Sequence, residues 1–325
     1  MATRVLVTGA NGFIGTELCR TLSTKGFLVR GAVREITEVV PHTGGRAHNR
    51  DETAVGEIGA NTDWRTALVD VHSVVHLAAR VHVMQDVVAD RLAAFRVVNT
   101  AGTLGLARAA AASGVRRLVY VSTIKVNGEA TRERAFDESD DAYPVDPYAV
   151  SKWEAEQGLW RIARETGLEV VIVRPPLVYG PGVRGNFLAL LGLVQRGLPL
   201  PLARCNNRRS LIGLANFADL LVRCVEQPSA AGQLFLAADG EDLSTPALLR
   251  RLACAFGQRA RLVPVPTSWL RLAAQVVGRK GVYERLCGSL QVNAGKARGL
   301  LGWQPPHTME EELVRTVRWF RDSKR

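Results

Sequence analysis

The chain has 325 residues, 47% hydrophobic and 22% charged, which is enough for one large α/β domain or two ordinary ones and too apolar for wholesale disorder. No run reaches the roughly 18 apolar residues of a membrane span, and the opening MATRVLVTGANG lacks the layout of a secretory signal. Cys19, Cys205, Cys224, Cys254 and Cys287 are scattered and never spaced C-x-x-C, which argues against a disulfide framework and a zinc site and suits a reducing cytoplasm.

The first third alternates strand and helix patterns. A strand is expected at 4–9, ending on Gly9. The spacing of Phe13, Ile14, Leu18 and Leu22 predicts a helix over 13–25, stopped by Gly26. Further strands are expected at 27–33, 73–77, 117–122 and 169–174, the last closed by Pro175 and Pro176. Residues from 41 up to Asp51 read as loop. Long helices are expected at 86–113, broken once, and at 147–166. Strands alternating with helices need crossover connections, so the sheet should be parallel. Beyond Arg174 prolines and glycines become dense, and helices are expected at 216–227, 245–256, 268–277 and 308–320. No internal repeat is visible.

Three chemical features stand out. Thr8-Gly9-Ala10-Asn11-Gly12-Phe13-Ile14-Gly15 joins the first strand to the first helix. Gly9 permits a tight turn, Gly12 allows a pyrophosphate to approach the backbone, and Gly15 lets the helix pack on the sheet. The helix N-terminus then offers N–H groups to phosphates. Tyr148 and Lys152 are spaced i, i+4, so one helix face carries a phenol and an ammonium. A neighbouring ammonium favours the phenolate, which would suit Tyr148 for proton transfer to or from an alcohol. Thr123 closes the preceding strand, with Ser122 beside it, and its hydroxyl can donate to a substrate oxygen.

In combination these motifs resemble the extended short-chain dehydrogenase/reductases, the NAD-dependent epimerase/dehydratase family. They are TGANGFIG, VVHLAA (74–79), VNTAGT (98–103), YVST (120–123), PYAVSK (147–152) and RPPLVYGPG (174–182). The resemblance implies a Rossmann-like α/β fold, a doubly wound parallel sheet carrying a smaller, mainly helical substrate-binding domain. We expect the domains to interleave, with 1–174 and 206–238 in the nucleotide-binding unit and 175–205 and 239–325 in the substrate unit. It implies Thr123, Tyr148 and Lys152 as the catalytic set. Cofactor contacts are implied at Gly9, Asn11, Gly12, Phe13, Ile14, Gly15, Arg34, Glu57, Ile58, Leu77, Ala78, Ala79 and Asn99, and Asn99 is also read as a structural residue that holds backbone geometry near Lys152. Substrate contacts are implied at Ser122, Thr123, Asn186, Arg209 and Arg285, with a guanidinium on the nucleotide diphosphate.

Departures from the family pattern refine the expectation. NAD-retaining epimerases place Asp where Val33 stands, and Arg34 follows it here, so NADP(H) is expected ahead of NAD(H). The dehydratases read T-D-E-V-Y-G where this chain reads T-I-K-V-N-G at 123–128, so the acids that eliminate water are missing. The closest pattern is that of UDP-4-keto-6-deoxy-N-acetylhexosamine 4-reductases of polysaccharide sugar synthesis. The alternative is a UDP-hexose or UDP-N-acetylhexosamine 4-epimerase with tightly held NAD. A non-catalytic NADP-binding sensor stands third, because such relatives usually lose the Tyr or Lys. Relatives also pair the helices at 86–113 and 147–166 across a homodimer, and Leu92, Phe95, Val98, Leu106, Trp153, Leu159, Trp160 and Ile162 exceed one apolar stripe per helix.

The +11 net charge is unevenly placed: residues 250–325 hold 15 basic and 5 acidic residues. No zinc-finger spacing, aromatic RNP pattern or GXXG clamp supports nucleic acid as the partner. Electrostatic steering of a diphosphate substrate is one expectation. The other is contact with anionic lipid by a basic amphipathic helix containing Trp269, Leu270, Leu272, Val276 and Val277 with Arg271, Arg279 and Lys280.

Overall fold

The apolar runs of the first third are buried on both faces, as strands of a parallel sheet must be when helices cover each side. Val5 and Val7 point to one core and Leu6 to the other. The same alternation separates Val75 from Val74, Val119 and Val121 from Leu118 and Tyr120, and Val171 and Val173 from Val170 and Ile172. A computed structural model describes residues 3–36, 51–81 and 90–324.

The strands in chain order are β1 (Arg4–Thr8), β2 (Leu28–Val33), β3 (Asp51–Ala54), β4 (Ser73–His76), β5 (Arg117–Val121), β6 (Glu169–Arg174), β7 (Leu177–Tyr179), β8 (Arg209–Gly213), β9 (Leu234–Leu236) and β10 (Asp242–Leu243). The helices are α1 (Phe13–Thr24), α2 (Arg91–Phe95), α3 (Thr103–Ala112), α4 (Pro147–Thr166), α5 (Gly185–Gln195), α6 (Leu214–Glu226), α7 (Thr245–Ala255), α8 (Thr267–Val276), α9 (Lys280–Cys287), α10 (Gly295–Leu301) and α11 (Met309–Asp322). Seven strands form the parallel sheet in the order β3-β2-β1-β4-β5-β6-β9. The order reverses between β1 and β4, the crevice where doubly wound folds hold ligands. Helices α1 and α6 cover one face, and α3 and α4 cover the other.

Helix α4 has the expected bounds, for local reasons. The Asp146 carboxylate caps it by accepting from Ala149 N at 2.6 Å, Pro147 occupies its first turn, and Gly167 leaves it with φ of 76°.

The structure departs from the sequence reading in four places. Asp51–Ala54 is an edge strand, although Asp-Glu-Thr-Ala carries no apolar signal; the rest of the expected loop, 41–50, lies outside the described residues. The helix expected at 86–113 begins, within the described residues, at Arg91, and its break is a π-helical stretch, Arg96–Gly102. Residues Arg209–Gly213 do not join the main sheet. They form the centre of a second, three-stranded sheet ordered β10-β8-β7, while α6, which follows, packs on the main one. Helices α9 and α10 were not anticipated, because their short segments carry little apolar periodicity. Helices α5, α7 and α11 close a separate apolar core around Tyr179, Phe187, Leu249, Leu313 and Phe320.

Candidate active site

The loop after β1 fits a pyrophosphate cradle. Gly9 has φ of 66°, a conformation that side chains resist, and a Cβ there would lie 3.2 Å from Ala78 N. Gly12 precedes α1 in extended conformation, and no side chain caps that helix. The amides of its first turn are thus left for an anion. Gly15 lets the helix reach the loop, because a Cβ there would sit 2.1 Å from Gly9 O. Gly15→Ala should therefore cost about 1–3 kcal/mol of stability and weaken nucleotide binding. Unchanged melting and unchanged binding by calorimetry would contradict this packing.

A buried hydrogen-bond chain ties this loop to its neighbour after β4. Thr8 Oγ1 accepts from Leu77 N and Ala78 N, both at 3.1 Å, and lies 2.7 Å from His76 Nδ1. Its own proton is then free for Nδ1. His76 Nε2 donates to Thr103 Oγ1 at 2.9 Å, and Thr103 donates to Asn99 O at 2.7 Å. Burial, with the Lys152 charge adding to it, pulls the His76 pKa down to about 3, so the ring stays neutral and keeps this tautomer. Asn99, expected among the cofactor contacts and as a holder of backbone near Lys152, spends its amide on the second role. It accepts from Arg80 N at 2.8 Å and donates to Arg80 O and Ser151 Oγ, both at 3.0 Å. Its role in this structure is to fasten Leu77, Ala78, Ala79 and Arg80 to the helix of Tyr148 and Lys152.

Thr123 follows β5 and opens a 3-10 turn, Ile124–Val126. Lys125 of that turn pairs with Asp146, the cap of α4. One carboxylate thus joins the strand end of Thr123 to the helix start of Tyr148. Ser122 Oγ is buried with no hydrogen-bond partner among the described residues.

On α4 the electrostatics differ from the simple expectation. Burial pushes the Tyr148 phenol up to about 12, and Asp146 adds to the rise. Burial pulls the Lys152 ammonium down to about 7, opposed by Glu156. Lys152 Nζ lies 4.2 Å from the centre of the Tyr120 ring. So the unliganded site holds Tyr148 protonated. Because the Lys152 value is lower folded than unfolded, the unfolded chain binds an extra proton between about pH 7 and its ordinary 10.5. Stability should rise with pH across that window. Lys152→Met should accordingly raise the melting temperature of the nucleotide-free chain at about pH 6, with a smaller gain at about pH 9. A gain independent of pH would contradict the depressed value.

Beneath this pair lies a network missed in the sequence. Arg174 Nε donates to Glu156 Oε1 at 3.0 Å, its Nη2 reaches Oε2, and its Nη1 donates to Asn127 Oδ1 at 2.9 Å, all buried. The i, i+4 spacing of Lys152 and Glu156 was the available signal.

The remaining expected contacts fall into three groups. Arg34 is exposed at the end of β2, beside buried Val33, with no acidic partner among the described residues. Glu57 is exposed, and Ile58 packs where a Cβ on Gly102 would come within 2.6 Å of it. Asn186 on α5 and Arg285 on α9 share a cavity of about 460 Å³ with Leu190, Leu270 and Leu286. Arg209, Thr123, Tyr148 and Lys152 are not part of its wall. Arg209 is half-buried, donates to Gly288 O at 3.0 Å, and has no carboxylate partner among the described residues. Asn207 clamps the same segment by donating to Leu286 O and Gly288 O. Among the described residues no cluster of side chains could hold a metal ion, and no helix is long and apolar enough to cross a membrane.

Residues 5–237 match the family model described as NAD dependent epimerase/dehydratase family. The chain is 42% identical to a UDP-glucose 4-epimerase of Vibrio cholerae, over 98% of this chain and 96% of that one. It is 24% identical to the N-acetyl-alpha-D-glucosaminyl-diphospho-ditrans,octacis-undecaprenol 4-epimerase of Escherichia coli O157:H7, with 98% and 96% covered. Among solved structures, the UDP-glucuronic acid 4-epimerase of Bacillus cereus in complex with NAD shares the fold, with a TM-score of 0.79, 21% identity, and 99% and 100% covered.

Proposed function

We propose that this chain, which belongs to the NAD-dependent epimerase/dehydratase family, inverts C4 of a UDP-hexose or UDP-N-acetylhexosamine. The observation that carries this reading is the 42% identity, over nearly the whole of both chains, to a protein named as a UDP-glucose 4-epimerase. The reductase expected first from the sequence would use the same side chains, and no feature of the site favours it, so it gives way to its alternative. A dehydratase is disfavoured because Ile124 and Lys125 stand where the eliminating acids would be, and Lys125 is engaged with Asp146.

The glycine loop from Gly9 to Gly15 and the edge formed by Leu77, Ala78 and Ala79 would hold the nucleotide. When bound, NAD⁺ supplies a hydride acceptor at the sugar C4 and a positive charge that favours the Tyr148 phenolate. Tyr148 then takes the proton of the C4 hydroxyl and later returns it. Thr123 donates to the same oxygen and steadies its charge. Arg209 offers a half-buried cation that lacks a carboxylate among the described residues, and a diphosphate would supply negative charge.

An epimerase returns the hydride it removes and needs no second nicotinamide. NAD is therefore proposed over the NADP(H) expected from Arg34. Purified protein, once denatured, should release NAD rather than NADP, and should interconvert C4 epimers without added nucleotide. Released NADP, or turnover only with NADPH and a 4-keto sugar, would return the reading to the reductase.

The homodimer is retained with a narrower basis. Phe95, Leu106, Leu159 and Ile162 are buried within the chain itself, which leaves Leu92, Val98, Trp153 and Trp160, partly exposed, for a partner. Light scattering should give twice the 35.4 kDa mass; a 35.4 kDa particle at micromolar concentration would oppose it.

A further inference from the structure

Helix α8 is the one long-range feature that the proposed chemistry leaves without a task. None of its residues is buried. Trp269, Leu272 and Val276 are 71%, 62% and 79% exposed. At 100° per residue they fall within about 60° of one another on the helix, a single outward stripe. The inward side is different: Leu270, Ala273, Ala274 and Val277 wall the cavity that Asn186 and Arg285 share. The sequence pattern had grouped Leu270 and Val277 with the outer stripe; the structure places both on the cavity wall, although Val277 remains 66% exposed.

The charges around the stripe are of one sign. Between Gln258 and Arg285 the chain carries Arg259, Arg261, Arg271, Arg279, Lys280 and Arg285, and one acid, Glu284. Glu284 lies 3.6 Å from Lys280. Among the described residues the five arginines have no acidic partner. Exposed aromatic and aliphatic side chains at the headgroup depth, beside uncompensated cations, are the two terms that hold an amphipathic helix on anionic lipid. A second copy of the chain fits less well. A two-fold contact would set this patch against itself and bring like charges together.

We propose that α8, with the start of α9, docks the protein on an anionic bilayer surface through Trp269, Leu272 and Val276, with Arg279 and Lys280 meeting lipid phosphates. Docking of this kind is peripheral and reversible. It places the apolar wall of the cavity one helix thickness from the lipid.

Co-sedimentation of the full chain tests this. The chain should pellet with vesicles containing about one-third phosphatidylglycerol in phosphatidylcholine at about 0.1 M salt, and much less with phosphatidylcholine alone or at about 0.5 M salt. The triple variant Trp269→Ser, Leu272→Ser, Val276→Ser should reduce the bound fraction about tenfold. The charge variant Arg279→Glu, Lys280→Glu should reduce it similarly, and because both positions are exposed it is the gentler of the two changes to the fold. Circular dichroism and melting should match the unaltered chain in both. Absence of binding to the anionic vesicles, or equal binding by the unaltered chain and both variants, overturns the proposal. A change of oligomeric state in the triple variant without vesicle binding also overturns it, and assigns the stripe to a second copy.

Discussion

Tyr148→Phe should reduce turnover by about 10²-fold or more while leaving the fold and nucleotide affinity in place. The ring is packed against Phe95, with centroids 5.9 Å apart at 69°, so phenylalanine keeps the packing and removes only the hydroxyl. That hydroxyl is the group proposed to carry a proton to and from the sugar oxygen. Its pKa of about 12 in the unliganded chain means that the empty site waits as an acid. Lys152 cannot substitute, since its amine is set over the Tyr120 ring. Steady-state rates of the variant with UDP-glucose and UDP-N-acetylglucosamine provide the check. Turnover within threefold of the unaltered enzyme would remove Tyr148 from the chemistry.

Glu156→Ala should cost about 3–5 kcal/mol of stability, because it leaves the Arg174 guanidinium buried without a counter-charge. Among the described residues Asn127 would remain as its side-chain partner, and a neutral amide does not balance a cation. The same change should lower the Lys152 pKa further, since Glu156 is what holds it up. The double variant Glu156→Leu, Arg174→Met should be far less destabilised than the single one, as apolar replacement of a buried pair often is. Urea denaturation of the three proteins separates these outcomes. A single variant within 1 kcal/mol of the unaltered chain would mean that water reaches the pair.

The parts of the fold that were legible in the sequence are those with local causes. The alternating burial of β1, β4, β5 and β6 is written as short apolar runs, and the Asp146 cap, Pro147 and Gly167 bound α4 without reference to the rest of the chain. The glycine loop and the Tyr148–Lys152 spacing are local in the same sense. What was hidden depends on distant partners. Asp51–Ala54 is a strand because β2 offers it an open edge, not because of its own side chains. The place of β8 in a second sheet follows from β7 and β10, which are too short to be read alone. The state of Lys152 is set by burial under Tyr120 and by Glu156, and the expectation that its ammonium lowers the Tyr148 phenol does not hold in the unliganded site, where burial raises it. Asn99 illustrates the remaining case: its motif marked it as holding backbone near Lys152, and the contacts to Arg80 and Ser151 identify which segments it joins.

The central claim is that the protein removes and returns the same hydride at C4. It is tested most directly with UDP-glucose, and in parallel UDP-N-acetylglucosamine, deuterated at C4 and incubated with the purified protein in ordinary water without added nicotinamide. Proton NMR should show the C4 epimer accumulating with its deuterium retained at C4. No epimer from either sugar, or an epimer that has exchanged its C4 deuterium for solvent hydrogen, would contradict it.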